Sequence, residues 1–109
     1  MANTNIPLTT PGDSLREMLD ELGVSAYAFA KAIGKAPIQV TRILNGASSI
    51  TPEMSLRFGK ALGMSPGYWH RLQADYDMRL VLQREAEIDV EPLEAKPRTR
   101  SLQSSSRSR

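Results

Sequence analysis

A chain of 109 residues with 14 Lys+Arg, 12 Asp+Glu, 40% apolar residues and no cysteine is the length of one small domain with one core, not of a multidomain machine. The lack of cysteine excludes disulfides, thiolate metal sites and cysteine nucleophiles, and fits a reducing compartment. No apolar run approaches the roughly 18 to 20 residues needed to span a bilayer, and the N-terminus MANTNIPLTTPGD lacks the charged and apolar regions of a signal peptide, so a cytoplasmic protein with no membrane role is expected.

Residues 1–9 read as a flexible N-terminus. Pro11-Gly12-Asp13 then predicts a helix start, after which Leu15, Met18, Leu19 and Leu22 recur at helical spacing up to Gly23. Ser25 is a natural N-cap for a short, Ala-rich second helix with Tyr27, Phe29, Ala30 and Ile33, stopped by Gly34. Pro37 suits the first turn of a third helix, whose inward face would be Val40, Ile43 and Leu44 and whose end is Asn45-Gly46. Thr51-Pro52-Glu53 supplies cap, proline and first-turn acid for a fourth helix carrying Met54, Leu56, Phe58 and Leu62 to Gly63. Ser65-Pro66 repeats the pattern for a fifth, from Tyr68-Trp69 through Leu72, Tyr76 and Leu80 toward Glu87. No segment alternates with period two between hairpin turns, so no strand is assigned. Residues 95–109, with Pro97 and the run SLQSSSRSR, offer almost nothing to bury and read as a disordered, basic Ser/Arg-rich tail. The expected fold is all-α, with five helices in a domain spanning 10–94.

The net charge of +2 conceals a segregation. Residues 25–50 carry Lys31, Lys35 and Arg42 and no acid; residues 74–95 carry seven acids against Arg79 and Arg84; the last fourteen hold five cations and no acid. Such blocks predict one anion-facing side. The second and third helices with the Gly34 turn follow helix-turn-helix syntax: a small residue, Ala30, at the crossing, a glycine at the turn, and apolar anchors that leave one helix face free for a major groove. The residues left facing outward or sideways are Ala36, Pro37, Ile38, Gln39, Thr41, Arg42 and Asn45. Arg can grip guanine O6 and N7, Gln can pair with adenine, and Ile38 or Thr41 can meet a thymine methyl. Lys31, Lys35, Ser25, Ser48 and Ser49 are candidates for holding phosphates. Spacing alone leaves an inert five-helix bundle equally open.

Other constellations read more simply. His70 is the only histidine and there is no cysteine, so neither a metal site nor a cofactor is expected. The acids from Asp75 to Glu91 fit a solvated face better than a paired-carboxylate site. Nothing resembles a phosphate-binding loop, a nucleophile elbow or a catalytic triad, so no enzyme is expected. Tyr68, Trp69, Leu72 and Tyr76 form a stripe at i, i+1, i+4, i+8, part of which is expected in a two-fold interface and part in the core.

Residues 11 to about 76 resemble the XRE/Cro-type helix-turn-helix family and, more narrowly, the HigA (VapI-like) antidote proteins of bacterial toxin-antitoxin modules. The likeness is carried by Pro11-Gly12-Asp13 with Leu15-Arg16-Glu17, by Ile43-Leu44-Asn45-Gly46, by Ile50-Thr51 with Leu56-Arg57, by Gly63 with Ser65-Pro66, and by Tyr68-Trp69 with Leu72-Gln73-Ala74-Asp75-Tyr76-Asp77. This resemblance implies a lambda-repressor-like fold and a phosphate contact by Asn45. It also implies a homodimer on double-stranded operator DNA, where an inverted repeat sets two recognition helices roughly 34 to 36 Å apart. The implied partner is a HigB/RelE-like ribonuclease toxin that the protein neutralises, while repressing its own operon. A free-standing repressor without a toxin, and an interaction module that does not bind DNA, are the alternatives. The acidic block 74–95 offers a surface for a basic partner away from the DNA-facing segment.

Overall fold

The computed structural model describes residues 8–94; the expected flexible N-terminus, apart from Leu8 and Thr9, and the whole expected tail lie outside the described residues. The described chain holds five α-helices and no strand: α1 Pro11–Leu22, α2 Ala26–Ile33, α3 Pro37–Leu44, α4 Pro52–Leu62 and α5 Tyr68–Leu82.

Local chemistry sets most of these boundaries. Thr10 Oγ1 accepts from the Asp13 amide at 3.0 Å while the Asp13 carboxylate accepts from the Thr10 amide at 3.2 Å, a reciprocal cap on α1. Ser25 Oγ accepts from the Ala28 amide at 3.0 Å to open α2, and Thr51 Oγ1 accepts from Met54 at 3.2 Å to open α4. α3 has no capping hydroxyl, because its N-cap is Ala36; Gln39 Oε1 reaches back to the Ala36 amide instead, at 3.2 Å.

α5 departs from expectation in its cap and in its length. It opens at Tyr68 as expected, but its N-cap is Gly67 and not Ser65, since Pro66 and Gly67 form a turn whose Pro66 carbonyl accepts from Ser55 Oγ at 2.6 Å. It stops at Leu82 rather than running toward Glu87, and Glu85–Glu87 is a single 3₁₀ turn. All residues from Asp77 to Glu94 are exposed, so this stretch has no packed face to sustain a longer helix.

α3 packs against α1 and α2, while α4 packs against α5 and α2 and closes the domain. Leu15, Leu19, Phe29, Ala30, Ile33, Val40, Ile43, Leu44, Ile50, Met54, Phe58 and Trp69 form one core. Phe58 is its hub, meeting Phe29 edge-to-face at 5.2 Å and Trp69 at 5.8 Å, pairs worth about 0.5–1.5 kcal/mol each beyond area burial. Trp69 is 1% exposed, so the chain's own core takes it out of any surface stripe. Ser55 is wholly buried and ties α4 to α5, its hydroxyl accepting from the His70 amide at 3.0 Å while donating to Pro66. Gln73 Oε1 accepts from the Ile50 amide at 2.9 Å, fixing the loop before α4.

One glycine positions α3. A Cβ on Gly12 would stand 2.1 Å from the Ile43 carbonyl oxygen and 3.0 Å from that of Leu44, so only glycine lets α1 lie this close to the end of α3.

Candidate DNA interface

The turn between α2 and α3 is held from three sides. Gly34 takes the left-handed conformation, φ 74°, and the Lys35 amide donates to the Ala30 carbonyl at 3.0 Å, ending α2. From α4, Arg57 donates to the Ile33 carbonyl at 2.7 Å. The same guanidinium grips Glu53 through Nε at 3.1 Å and through its terminal nitrogen at 2.9 Å. Lys35 Nζ lies 3.6 Å from that carboxylate. The hydrogen-bonded Arg57 first, and the Lys35 charge second, hold the Glu53 carboxyl below its ordinary value. Sequence reading missed this network; its only signal was the i, i+4 spacing of Glu53 and Arg57.

From α1, Arg16 donates to the Leu44 carbonyl at 3.4 Å and to Asn45 Oδ1 at 3.3 Å, gripping the far end of α3. The third helix is thus anchored at its start by α2 and α4 and at its end by α1. Its outer face carries Pro37, Ile38, Gln39, Thr41 and Arg42, all exposed, with Ala36 and Asn45 exposed at either end. Ile38 is 60% exposed, an apolar side chain that nothing in the domain covers. Thr41 Oγ1 donates to the Pro37 carbonyl at 3.1 Å, which leaves its methyl as the group to be read. Arg42 Nε rests on Ser48 Oγ at 3.3 Å, an exposed bond that leaves the terminal guanidinium nitrogens to reach a base edge.

The flanking candidates fall around this face. Ser25 is exposed and engaged as the α2 cap; Lys31 and Ser49 are exposed, and Ser48 and Lys35 half-buried. A cleft of about 340 Å³ between α3 and the start of α4 is lined by Lys35, Gln39, Arg42, Ser48, Ser49 and Glu53, among others. Tyr27 is 64% exposed. Phe29, Ala30 and Ile33 form the buried face of α2, and Tyr27 lies to one side of that face, roughly 110° from its centre at 100° per residue, at the end of α2 capped by Ser25.

The stripe expected at a two-fold interface is divided. Trp69 is in the core and Leu72 packs partly against it, whereas Tyr76 is half-buried and Tyr68 exposed. Sequence reading overlooked the residues beyond: Met78, Val81 and Leu82, at i, i+3, i+4 on α5, are 57%, 36% and 53% exposed. Among the described residues no group of His, Cys, Asp or Glu could hold a metal ion, and no helix is long and apolar enough to cross a membrane.

Two short packed helices with Ala30 fully buried on the first, a left-handed glycine between them and a second helix with an uncovered outer face define a helix-turn-helix protein. The helix-turn-helix family model matches residues 15–69. The HTH-type transcriptional regulator YddM of Escherichia coli is 39% identical over 83 residues, covering 76% of this chain and 85% of that protein. An addiction module antidote protein of the HigA family from Coxiella burnetii superposes with a TM-score of 0.72 at 38% identity, over 80% of this chain and 98% of that one. The antitoxin GraA, solved in complex with its operator, superposes with a TM-score of 0.74 at 35% identity, over 87% and 99%. The chain belongs to the XRE-type helix-turn-helix family, with HigA antitoxins among its relatives. This is a family of DNA-binding regulators, not of enzymes.

Proposed function

We propose that this protein is an operator-binding repressor that acts as a homodimer and serves as the antitoxin of a HigB/RelE-like ribonuclease. The observation that carries the DNA-binding part is the outer face of α3. Gln39, Thr41 and Arg42 stand exposed on a helix clamped by α1, α2 and α4, in a stretch without an acid between Glu21 and Glu53. Preorganisation matters because a recognition helix that wandered would lose bidentate geometry at the base edges. Ser25, Lys31, Lys35, Asn45, Ser48 and Ser49 hold the sugar-phosphate strands and set register, with Ala36, Pro37 and Ile38 at the groove wall. GraA on its operator supports this reading by likeness.

In the dimer, the exposed Met78, Val81 and Leu82 on one side of α5 and Tyr68, Leu72 and Tyr76 on another contribute apolar area that calls for a partner. The two-fold axis sets both α3 helices one DNA turn apart on an inverted repeat. The antitoxin role is supported by the HigA relatives and by the acids of 74–95, which suit the cationic surface of an RNA-cutting partner.

Two experiments test the reading. Fluorescence anisotropy with the promoter of the protein's own gene against a shuffled duplex, at fixed salt, is expected to show preference for the promoter. Co-expression with the adjacent gene for a small basic protein is expected to rescue growth that this gene alone arrests and to give a co-purifying complex. A neighbour harmless by itself, or equally toxic with this protein present, removes the antitoxin role and leaves a free-standing repressor.

A further inference from the structure

We infer that Glu53 is an intramolecular counterion for Lys35 that holds DNA affinity, and its salt dependence, below what the cations of this face would otherwise give. The inference rests on the DNA-binding reading and adds to it a residue that opposes binding. Glu53 is the first acid after Glu21, and it lines the cleft beside α3 together with Lys35, Arg42 and Ser48. A carboxylate in a polar cleft adjoining the recognition helix repels phosphate oxygens, so its presence there has an energetic consequence for binding.

The two cations on Glu53 are not equivalent. Arg57 is pinned: it contributes two short bonds to the carboxylate and a third to the Ile33 carbonyl at 2.7 Å, so it cannot leave without freeing the end of α2. Lys35 touches the same oxygen only at 3.6 Å, through a flexible stem and a single ammonium. It is therefore the cation that a phosphate can draw away, while Arg57 stays on Glu53 and Ile33. Each DNA contact by Lys35 then breaks an internal ion pair and brings the Glu53 charge close to the phosphates, so the net neutralisation of DNA, and with it the release of its condensed cations, is smaller than for a free lysine. A phosphate neutralised by a free lysine contributes about 0.9 to the slope of log K against log salt. Lys35 contributes less than this as long as Glu53 competes for it.

Glu53→Gln keeps the side-chain shape and leaves the Arg57 to Ile33 bond in place. The expected result is tighter binding with a slope steeper by up to about 0.9, which corresponds to up to roughly eightfold at 0.1 M monovalent salt. The gain is expected on promoter and shuffled duplexes alike, since phosphate contacts carry no sequence information. Adding Lys35→Gln to that variant is expected to remove it. An unchanged slope in Glu53→Gln, or a gain that survives in the double variant, overturns the inference. Should Glu53→Gln fail to fold by circular dichroism, Lys35→Gln alone decides: a slope loss well under 0.9 supports the competition, and a full loss of 0.9 refutes it. If the unaltered protein bound neither duplex, the DNA-binding reading itself would fall, which is a different result from binding with an unchanged slope.

Discussion

Replacing Gly12 by alanine tests how the recognition helix is placed. The new Cβ would meet Ile43 O at 2.1 Å, Leu44 O at 3.0 Å and the Ile43 carbonyl carbon at 3.1 Å. All three are backbone atoms at the end of α3, so no side chain can swing aside; one helix must retreat from the other by about 1 Å. Overpacking of this kind costs about 1–3 kcal/mol, against which alanine's helix propensity returns less than about 1 kcal/mol so near the helix start. At about 4–8 °C per kcal/mol for a domain this size, the melting temperature is expected to fall by roughly 5–20 °C. The same retreat pulls Arg16 from the Leu44 carbonyl and Asn45, now 3.4 and 3.3 Å away, and turns α3 off its groove. Losing one bidentate base contact costs about 1–3 kcal/mol, so promoter affinity should drop about tenfold or more under conditions where circular dichroism shows a folded protein. Gly59→Ala is the matched control. Its Cβ would lie 2.8 Å from Met64 O and 3.0 Å from Ser65 O, a milder backbone clash between α4 and the turn before α5, away from the α3 face. It is expected to lower stability without selectively lowering promoter affinity. Gly12→Ala with unchanged melting and binding, or Gly59→Ala losing as much affinity, would refute the reasoning.

Arg42→Ala should weaken promoter binding by about 1–3 kcal/mol and binding to shuffled DNA by less, as read by parallel gel-shift titrations; equal losses would make Arg42 a phosphate contact only. Truncation after Glu94 removes Lys96, Arg98, Arg100, Arg107 and Arg109 and should flatten the salt dependence while leaving the ranking of operator variants unchanged. Because Arg57 and Lys35 depress the Glu53 pKa, the stabilisation from that pair is present above the ordinary carboxylate value near 4.5 and is lost as pH falls through the lower folded value. Thermal melts from pH 7 to 3 should therefore fall more for the unaltered protein than for Glu53→Gln. Val81→Asp with Leu82→Asp should shift the protein from dimer to monomer in sedimentation equilibrium with helicity retained.

The helices were legible where a signal is local. The helix start at Pro11-Gly12-Asp13, the caps at Ser25 and Thr51 and the stops at Gly23, Gly34 and Gly63 act within four residues. The inward face of α3 follows from spacing, whereas Leu22 at the end of the α1 spacing is exposed. The cap of α5 was misplaced because Ser65-Pro66 imitates one, while the competing partner, Ser55, is ten positions upstream of Ser65 and reaches the turn only in three dimensions. Trp69 could not be assigned between core and interface, since a stripe on one helix does not reveal which neighbour covers it; Phe58 does so. The outward set on α3 was readable from the positions of Val40, Ile43 and Leu44. What was not readable is what those outward groups already hold: Gln39 its own helix start, Asn45 the Arg16 side chain, and Lys35 the Glu53 carboxylate. Such partners come from other helices or from rotamers, and spacing along one helix encodes neither.

The most direct measurement is a hydroxyl-radical and methylation-interference footprint on the promoter of the protein's own gene. Insertion of α3 by a dimer predicts two major-groove patches related by an inverted repeat with centres roughly one helical turn, 34 to 36 Å, apart. Arg42→Ala should erase interference at guanines in both patches. Uniform protection, a pattern shared with shuffled DNA, or guanine interference that persists in Arg42→Ala would contradict readout by α3.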